Sequence, residues 1–169
     1  HILFKKGWEG INIDINEFSI DLFNYLRPKD LNLQIAVSNK NGEITFYSQK
    51  NFSQLNTTDK DIAKEHFQNN FRTKVIKCKT IQNILDNSKY NNKKIDFLNI
   101  DVEGAEMQVL STLNFELHNP TTICIEILGY RSMDSKSREI EIQKNEIYQF
   151  LSAKKYKKVW SGPSYCSHI

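Results

Sequence analysis

A short and mostly apolar segment at residues 95–101 constrains the fold more than any other stretch of the chain. The sequence Ile95-Asp96-Phe97-Leu98-Asn99-Ile100-Asp101 has the length of a strand. A strand of this composition is typical of a parallel sheet covered by helices on both faces. It ends in a carboxylate, and Gly104 follows at a point where the chain has to turn sharply.

Strand-like and helix-like segments alternate along the rest of the chain. We predict strands at 10–15, 31–37, 43–47, 73–79, 95–101 and 121–127, with a further strand starting at 157–160 and a last one at 165–169. Helices are predicted at 17–26, 59–70, 80–87, 105–113 and 138–154, and a hairpin turn at 39–42. This order predicts an α/β, Rossmann-like fold with a mainly parallel twisted sheet and helices on both faces.

Length and charge favour one ordinary globular domain over residues 1–169. The net charge is +3, which permits an anionic ligand but does not indicate a nucleic-acid partner. The basic run Lys154-Lys155-Tyr156-Lys157-Lys158 could contact nucleic acid, but lysines also suit the end of a helix, and we favour that interpretation. No apolar run reaches the roughly 18 residues that cross a bilayer, so no membrane span is predicted.

The cysteines and the first residues predict a cytoplasmic protein. Cys78, Cys124 and Cys166 are odd in number and far apart, which is unlike a disulfide scaffold or a zinc site. Residues 1–6 lack the apolar core of a signal peptide. Reduced thiols in a cytosol are the simplest interpretation.

Asp14 lies at the end of the predicted strand 10–15. In doubly wound folds, ligands bind beyond the carboxyl ends of the strands, where a carboxylate can accept hydrogen bonds from both hydroxyls of a ribose. The alternative role for Asp14 is to cap the helix that begins near Glu17. Asn16 is better placed for that cap, so we favour ribose binding.

A second group of carboxylates follows the strand 95–101. Asp101 and Glu103 are candidates to orient a hydroxyl or to act as its base. Glu106 is interpreted instead as a solvated residue in the first turn of a helix, where a negative charge suits the helix dipole. Among other candidate bases are the histidines at 66, 118 and 168, each more often a surface or capping residue. No set of ligands is diagnostic of a metal, and we predict no metal site.

These segments together resemble the FkbM-type methyltransferases, a family with the class-I methyltransferase fold. Residues 6–16 resemble the family's second strand and its acidic residue, and residues 36–47 its third strand and hairpin. The most specific stretch is 95–106, which resembles the signature around the fourth strand, and 123–127 resembles the fifth strand. The family's glycine-rich first strand and loop have no counterpart here, so we expect a domain that is incomplete at both ends.

The resemblance implies S-adenosylmethionine as cofactor and methyl transfer to a hydroxyl on a sugar or another small molecule. It places Asp14 on the ribose, Ile15 against the adenine, and Ala36 and Val37 along the adenine edge. It places Asp101 near the transferred methyl group, as both a cofactor-binding and a catalytic residue.

Glu103 would face the acceptor, and Glu126 either faces the same site or is a charged residue on a strand rim. The loop 55–58 could form a lid or an acceptor wall, and the segment 129–134 could shape the acceptor pocket; both could equally be ordinary surface loops. Two other functions stay open at this point: an NAD-type oxidoreductase, and a non-catalytic domain that binds a partner. The identity of the acceptor and the oligomeric state are not readable from the sequence.

Overall fold

The computed structural model describes residues 2–49, 57–58, 60–68, 70–127 and 133–162. Its strands are β1 (Ile11–Asp14), β2 (Leu31–Gln34), β3 (Ala36–Val37), β4 (Gly42–Ser48), β5 (Arg72–Lys79), β6 (Phe97–Ile100) and β7 (Thr122–Ile125). Its helices are α1 (Ile2–Lys5), α2 (Glu17–Leu26), α3 (Lys60–Phe67), α4 (Ile81–Asp86), α5 (Glu106–Leu110), α6 (Phe115–His118), α7 (Ser135–Lys144) and α8 (Glu146–Ala153).

Three of the ladders in the described residues are parallel. β1 pairs with β2, β3 with β5, and β6 with β7, whereas β4 and β5 are antiparallel. No ladder joins the β1–β2 pair to the β6–β7 pair within these residues. The predicted α/β fold with mainly parallel strands is therefore confirmed.

A buried carboxylate ties the start of β1 to the start of β2. Asp30 is 8% exposed and accepts hydrogen bonds from the Gly10 N–H (3.1 Å) and the Asn12 side-chain amide (2.9 Å). Arg27 Nε lies 2.6 Å from Asp30 Oδ2, which supplies the opposite charge that a buried carboxylate needs. These contacts hold the parallel register, in which Ile11 lies opposite Leu31.

The hydrophobic core surrounds the β6–β7 ladder. Leu98 and Ile100 of β6 and Ile123 and Ile125 of β7 are buried, and apolar residues of α4, α5, α7 and α8 pack against them. Burial of such side chains contributes about 1.5–3 kcal/mol each to the free energy of unfolding. The hydrophobic core thus lies next to the loops that follow β6 and β7.

Three predictions about strands were wrong. The strand expected at 31–37 is interrupted at Ile35, because β2 pairs with β1 whereas β3 pairs with β5. The hairpin expected around the turn at 39–42 is not formed between β3 and β4, since β5 lies between them. Residues 157–160, expected to start a strand, have no strand hydrogen bonds.

The helix predicted at 138–154 is two helices. Asn145 has a ψ of 141° and ends α7, and its side chain accepts a hydrogen bond from the Ile147 N–H to start α8. The four-residue helix α6 was not predicted. Residues 165–169, where a last strand was expected, lie outside the described residues.

Three further features bear on the sequence predictions. Cys78 and Cys124 are buried, and neither forms a disulfide with another described residue; Cys166 lies outside the described residues. Asn16 caps α2, accepting a hydrogen bond from the Phe18 N–H, as predicted. Within the described ranges, no helix has the length and apolar character that crossing a membrane requires.

We expect Leu110→Ala to lower the free energy of unfolding by about 2–5 kcal/mol, because Leu110 is fully buried at the centre of the core and its truncation leaves a cavity. The matched control is Leu26→Ala. Leu26 is 46% exposed, so its truncation should change stability by less than about 1 kcal/mol. Urea denaturation followed by circular dichroism measures both, and equal losses would contradict the position of the core.

Candidate functional site

Three carboxylates gather above the β6–β7 ladder. Asp101 directly follows β6, and Glu126 directly follows β7, where the Glu126 N–H extends the ladder to the Ile100 carbonyl (3.1 Å). Glu103 lies in the loop after β6. One carboxylate oxygen from each residue lies within 4.8 Å of the others. Parallel neighbours end at the same edge of a sheet, which is why side chains distant in sequence meet here.

The loop that carries Glu103 has an unusual backbone. Glu103 has a φ of +53° and Gly104 a φ of +100°. The left-handed region costs a residue with a side chain about 1–2 kcal/mol, so surrounding contacts have to hold it there. This conformation turns the chain sharply between β6 and α5.

Glu106 supplies those contacts from below the loop. It is 4% exposed, and its Oε1 accepts hydrogen bonds from the N–H groups of Val102 (3.0 Å) and Gly104 (3.1 Å). Its Oε2 also lies 3.1 Å from the Gly104 nitrogen. The interpretation of Glu106 as a solvated residue was wrong, because its carboxylate points into the loop and satisfies backbone donors.

Thr57 holds the same loop from the other side. Its hydroxyl donates to the Glu103 carbonyl (2.9 Å), and its backbone exchanges two hydrogen bonds with Tyr47 of β4. Thr57 is only 2% exposed. The segment expected to form a lid or wall therefore contacts the backbone of the Glu103 loop through Thr57, whereas Leu55 and Asn56 lie outside the described residues.

Two of the carboxyl groups have strongly raised pKa values. Partial burial, followed by repulsion from Asp101 and Glu106, raises the pKa of Glu103 to about 7. Partial burial, followed by repulsion from Asp101 and Glu103, also raises the pKa of Glu126 to about 7. Glu126 Oε2 is buried without a hydrogen-bond partner among the described residues. A carboxyl group with such a pKa can exchange a proton near neutral pH.

Asp14 lies at the carboxyl end of β1, apart from the three clustered carboxylates. Its Oδ1 accepts a hydrogen bond from the Asn16 N–H (2.8 Å), which leaves Oδ2 with no partner in the described part of the chain. It thus helps to shape the start of α2 while Asn16 makes the cap, and both interpretations of Asp14 are compatible with this geometry.

The other residues expected at the cofactor lie beside Asp14. The Ile35 N–H donates to the Asp14 carbonyl (3.1 Å), which brings the start of β3 next to the end of β1. Ala36 is buried, and Val37 and Ile15 are half-buried.

An open groove of about 450 Å³ runs over the exposed face of β4 and β5. Residues 38–40 and Thr58 line it together with the side of α5 that carries Gln108. It does not include the clustered carboxylates, but Thr58 follows Thr57, which bonds to the Glu103 carbonyl. The groove is therefore a neighbour of the carboxylate site.

His118 has a structural role. It is fully buried, its Nδ1 lies 2.8 Å from the Lys93 carbonyl, and its Nε2 lies 3.1 Å from Gln82 Nε2. Because a carbonyl only accepts and an amide NH₂ only donates, the ring carries its proton on Nδ1. The side chain of His66, all of His168 and residues 129–132 lie outside the described part.

The clustered carboxylates also have the oxygen ligands that a divalent cation accepts. Clusters of acidic residues at strand ends also occur in proteins that bind no metal there. The absence of a metal site from this chain stays a prediction.

Comparison with protein-family models identifies the family of this chain. Residues 2–158 match the model of the methyltransferase FkbM domain. The chain belongs to the FkbM methyltransferase family. No curated protein and no solved structure matches this FkbM domain.

We expect Glu106→Ala to lower the free energy of unfolding by about 2–3 kcal/mol, since it leaves the N–H groups of Val102 and Gly104 without their acceptor. Glu106→Gln keeps one acceptor oxygen and should lose less. Glu146→Ala, at an exposed first-turn position of α8, is the control and should lose under about 1 kcal/mol. Chemical denaturation measures all three, and equal effects at 106 and 146 would contradict the bracing role of Glu106.

Proposed function

We propose that this FkbM methyltransferase uses S-adenosylmethionine to methylate a hydroxyl oxygen of a sugar or another small molecule. The observation that carries the proposal is the group of Asp101, Glu103 and Glu126, two of which have pKa values of about 7. A hydroxyl is a weak nucleophile until its proton is removed. A carboxylate with a pKa near the working pH is suited to accept that proton.

The residues around Asp14 fit the cofactor. Asp14 Oδ2 has no partner within the described residues, and a carboxylate oxygen in that position can accept hydrogen bonds from ribose hydroxyls. Ile15 and Val37 are half-buried and would offer an apolar surface to the adenine, with the buried Ala36 next to Val37 along its edge. S-adenosylmethionine would supply a methyl group already activated by a positively charged sulfur.

The protein then has to orient the acceptor and move one proton. Glu103 would accept the proton of the acceptor hydroxyl, with Asp101 beside it next to the transferred methyl. Glu126 would share the proton, because keeping three carboxylates ionised at this distance costs electrostatic free energy. The buried Glu106 and Thr57 would keep Glu103 in position by holding the backbone on either side of it.

Several expectations belong to this proposal. We take residues 1–169 as part of one methyltransferase domain that acts in the cytoplasm, with a small-molecule or glycan acceptor and no nucleic-acid partner. Membership of a methyltransferase family disfavours an NAD-dependent oxidoreductase. A non-catalytic domain is the competing proposal, and cofactor binding separates the two.

We expect the full-length protein to bind S-adenosylhomocysteine, and Asp14→Asn to weaken that binding by about tenfold. The variant keeps an acceptor oxygen for the Asn16 N–H but loses the charge, and charge-assisted hydrogen bonds are roughly twice as strong as neutral ones. Isothermal titration calorimetry measures the dissociation constants. Asp21→Asn, at an exposed position of α2, is the matched control and should bind as the wild type does.

The ligands separate the alternatives. NAD is titrated in parallel and should not bind. Failure of the wild-type protein to bind S-adenosylhomocysteine would favour the non-catalytic domain, and binding of NAD alone would indicate an oxidoreductase. Wild-type affinity in Asp14→Asn would remove Asp14 from the cofactor site.

We expect the carboxyl carbons of Glu103 and Glu126 to titrate near pH 7, and Asp101→Asn to move both midpoints to lower pH. Burial comes first in raising each pKa, and the charge of Asp101 comes next. Carbon-13 NMR of glutamate-labelled protein measures the midpoints without an acceptor. Glu139, whose pKa is lowered mainly by its hydrogen bond to Lys158, is the internal reference.

The same titration sets the pH dependence of catalysis. Below pH 7 the carboxyls are protonated and cannot accept a proton, so methyl transfer should fall about tenfold per pH unit in the acid range. Midpoints that stay near 4.5 in the wild type would contradict the role of the cluster as a base.

A further inference from the structure

The groove over β4 and β5 has a lining that selects for a particular chemistry. Thr45, Tyr47 and Val75 lie on one face of the two strands, because Thr45 is paired directly with Val75 and side chains two residues apart in a strand share a face. Val75 is 60% exposed. The floor therefore combines a hydroxyl, a phenol ring and a small apolar surface.

The rim of the groove is polar and nearly neutral. Thr58 and Gln108 offer hydrogen-bond donors and acceptors from two sides. Within the described part of the lining, the cation Lys40 is balanced by the anion Glu43, and no second cation is present. The lining therefore has no excess of positive charge to favour an anionic ligand, and a large apolar ligand would find little apolar surface.

The groove is also tied to the carboxylate site by a short path. Thr57 forms a bridge to Tyr47 of β4 and bonds to the Glu103 carbonyl, and Thr58 is the next residue in the groove wall. Gln108 lies two residues after Glu106 on α5. A ligand in the groove could therefore present one of its groups toward Glu103.

We propose that this groove binds the part of the acceptor beyond the reacting hydroxyl, and that this part is an uncharged polyhydroxylated ring such as a sugar. The proposal rests on the proposed function and selects, among its acceptors, glycans over polyketides. Tyr47 packs against the ring, and the polar rim groups bond to its hydroxyls. Val75 forms the floor beneath it.

The test is saturation-transfer NMR on the full-length protein. The probes are the methyl glycosides of glucose, galactose, mannose and rhamnose, with methyl glucuronoside as an anionic probe and a macrolide aglycone as an apolar one. At least one neutral glycoside should give a saturation signal that exceeds the signals of the anionic and the apolar probes.

Two matched variants locate the binding. Val75→Trp fills the floor of the groove and should remove the glycoside signal. Lys74→Trp places the same side chain on the other face of the same strand, also at an exposed position, and should keep it. Thr45→Trp fills the groove from β4 and should repeat the loss if Val75→Trp fails to fold.

The outcomes separate this inference from the proposed function. Three results would each overturn the groove proposal. The first is the absence of a signal from every neutral glycoside, and the second is a signal that survives Val75→Trp or Thr45→Trp in folded protein. The third is preferential binding of the macrolide or of the glucuronoside. The NMR samples contain no cofactor, so glycoside binding and cofactor binding are measured independently. Glycoside binding can therefore fail while S-adenosylhomocysteine still binds, and glycoside binding can succeed where cofactor binding fails.

Discussion

Glu106 places a buried negative charge beneath the loop after β6, and the arrangement of the site depends on it. Its carboxylate binds the N–H groups on both sides of Glu103, while the Thr57 hydroxyl takes the Glu103 carbonyl. Glu103 is thus held in a left-handed conformation and directed toward Asp101 and Glu126. The same buried charge contributes, after desolvation and Asp101, to the raised pKa of Glu103. One side chain therefore fixes the backbone of Glu103 and also adds to the repulsion that raises the pKa of Glu103.

The core explains why this arrangement can be maintained. Bringing three carboxylates together costs electrostatic free energy, and favourable packing elsewhere in the fold has to offset that cost. Apolar residues of β6 and β7 lie directly below the site and are packed by four helices. The groove face of β4 and β5, in contrast, is open to solvent, with Val75 more than half exposed. The proposed proton transfer thus lies next to the buried core, and the proposed acceptor contacts lie on an exposed strand face.

Local patterns in the sequence were enough to predict most elements and the meeting of Asp101 with Glu103. Strand ends and the cap at Asn16 depend on residues close together in the chain. The pairing of β3 with β5 and the interruption at Ile35 do not, because they depend on which strand becomes the neighbour. The burial of Glu106 was equally unpredictable, since a glutamate in the first turn of a helix has the same local sequence whether it faces solvent or a loop. Asn145 could have been recognised, because asparagine is a preferred N-cap even within an apparently continuous helical pattern.

The left-handed backbone of Glu103 has a consequence for anyone who engineers this protein. Glycine would adopt a φ of +53° without the cost that a side chain incurs, so a screen for thermal resistance should enrich Glu103→Gly. Such a screen would discard one of the three clustered carboxylates as a defect. Selection for heat tolerance would then favour glycine at position 103, whereas selection for turnover would favour glutamate. A mutant library should therefore keep residue 103 constant and vary the exposed faces of α2 and α7.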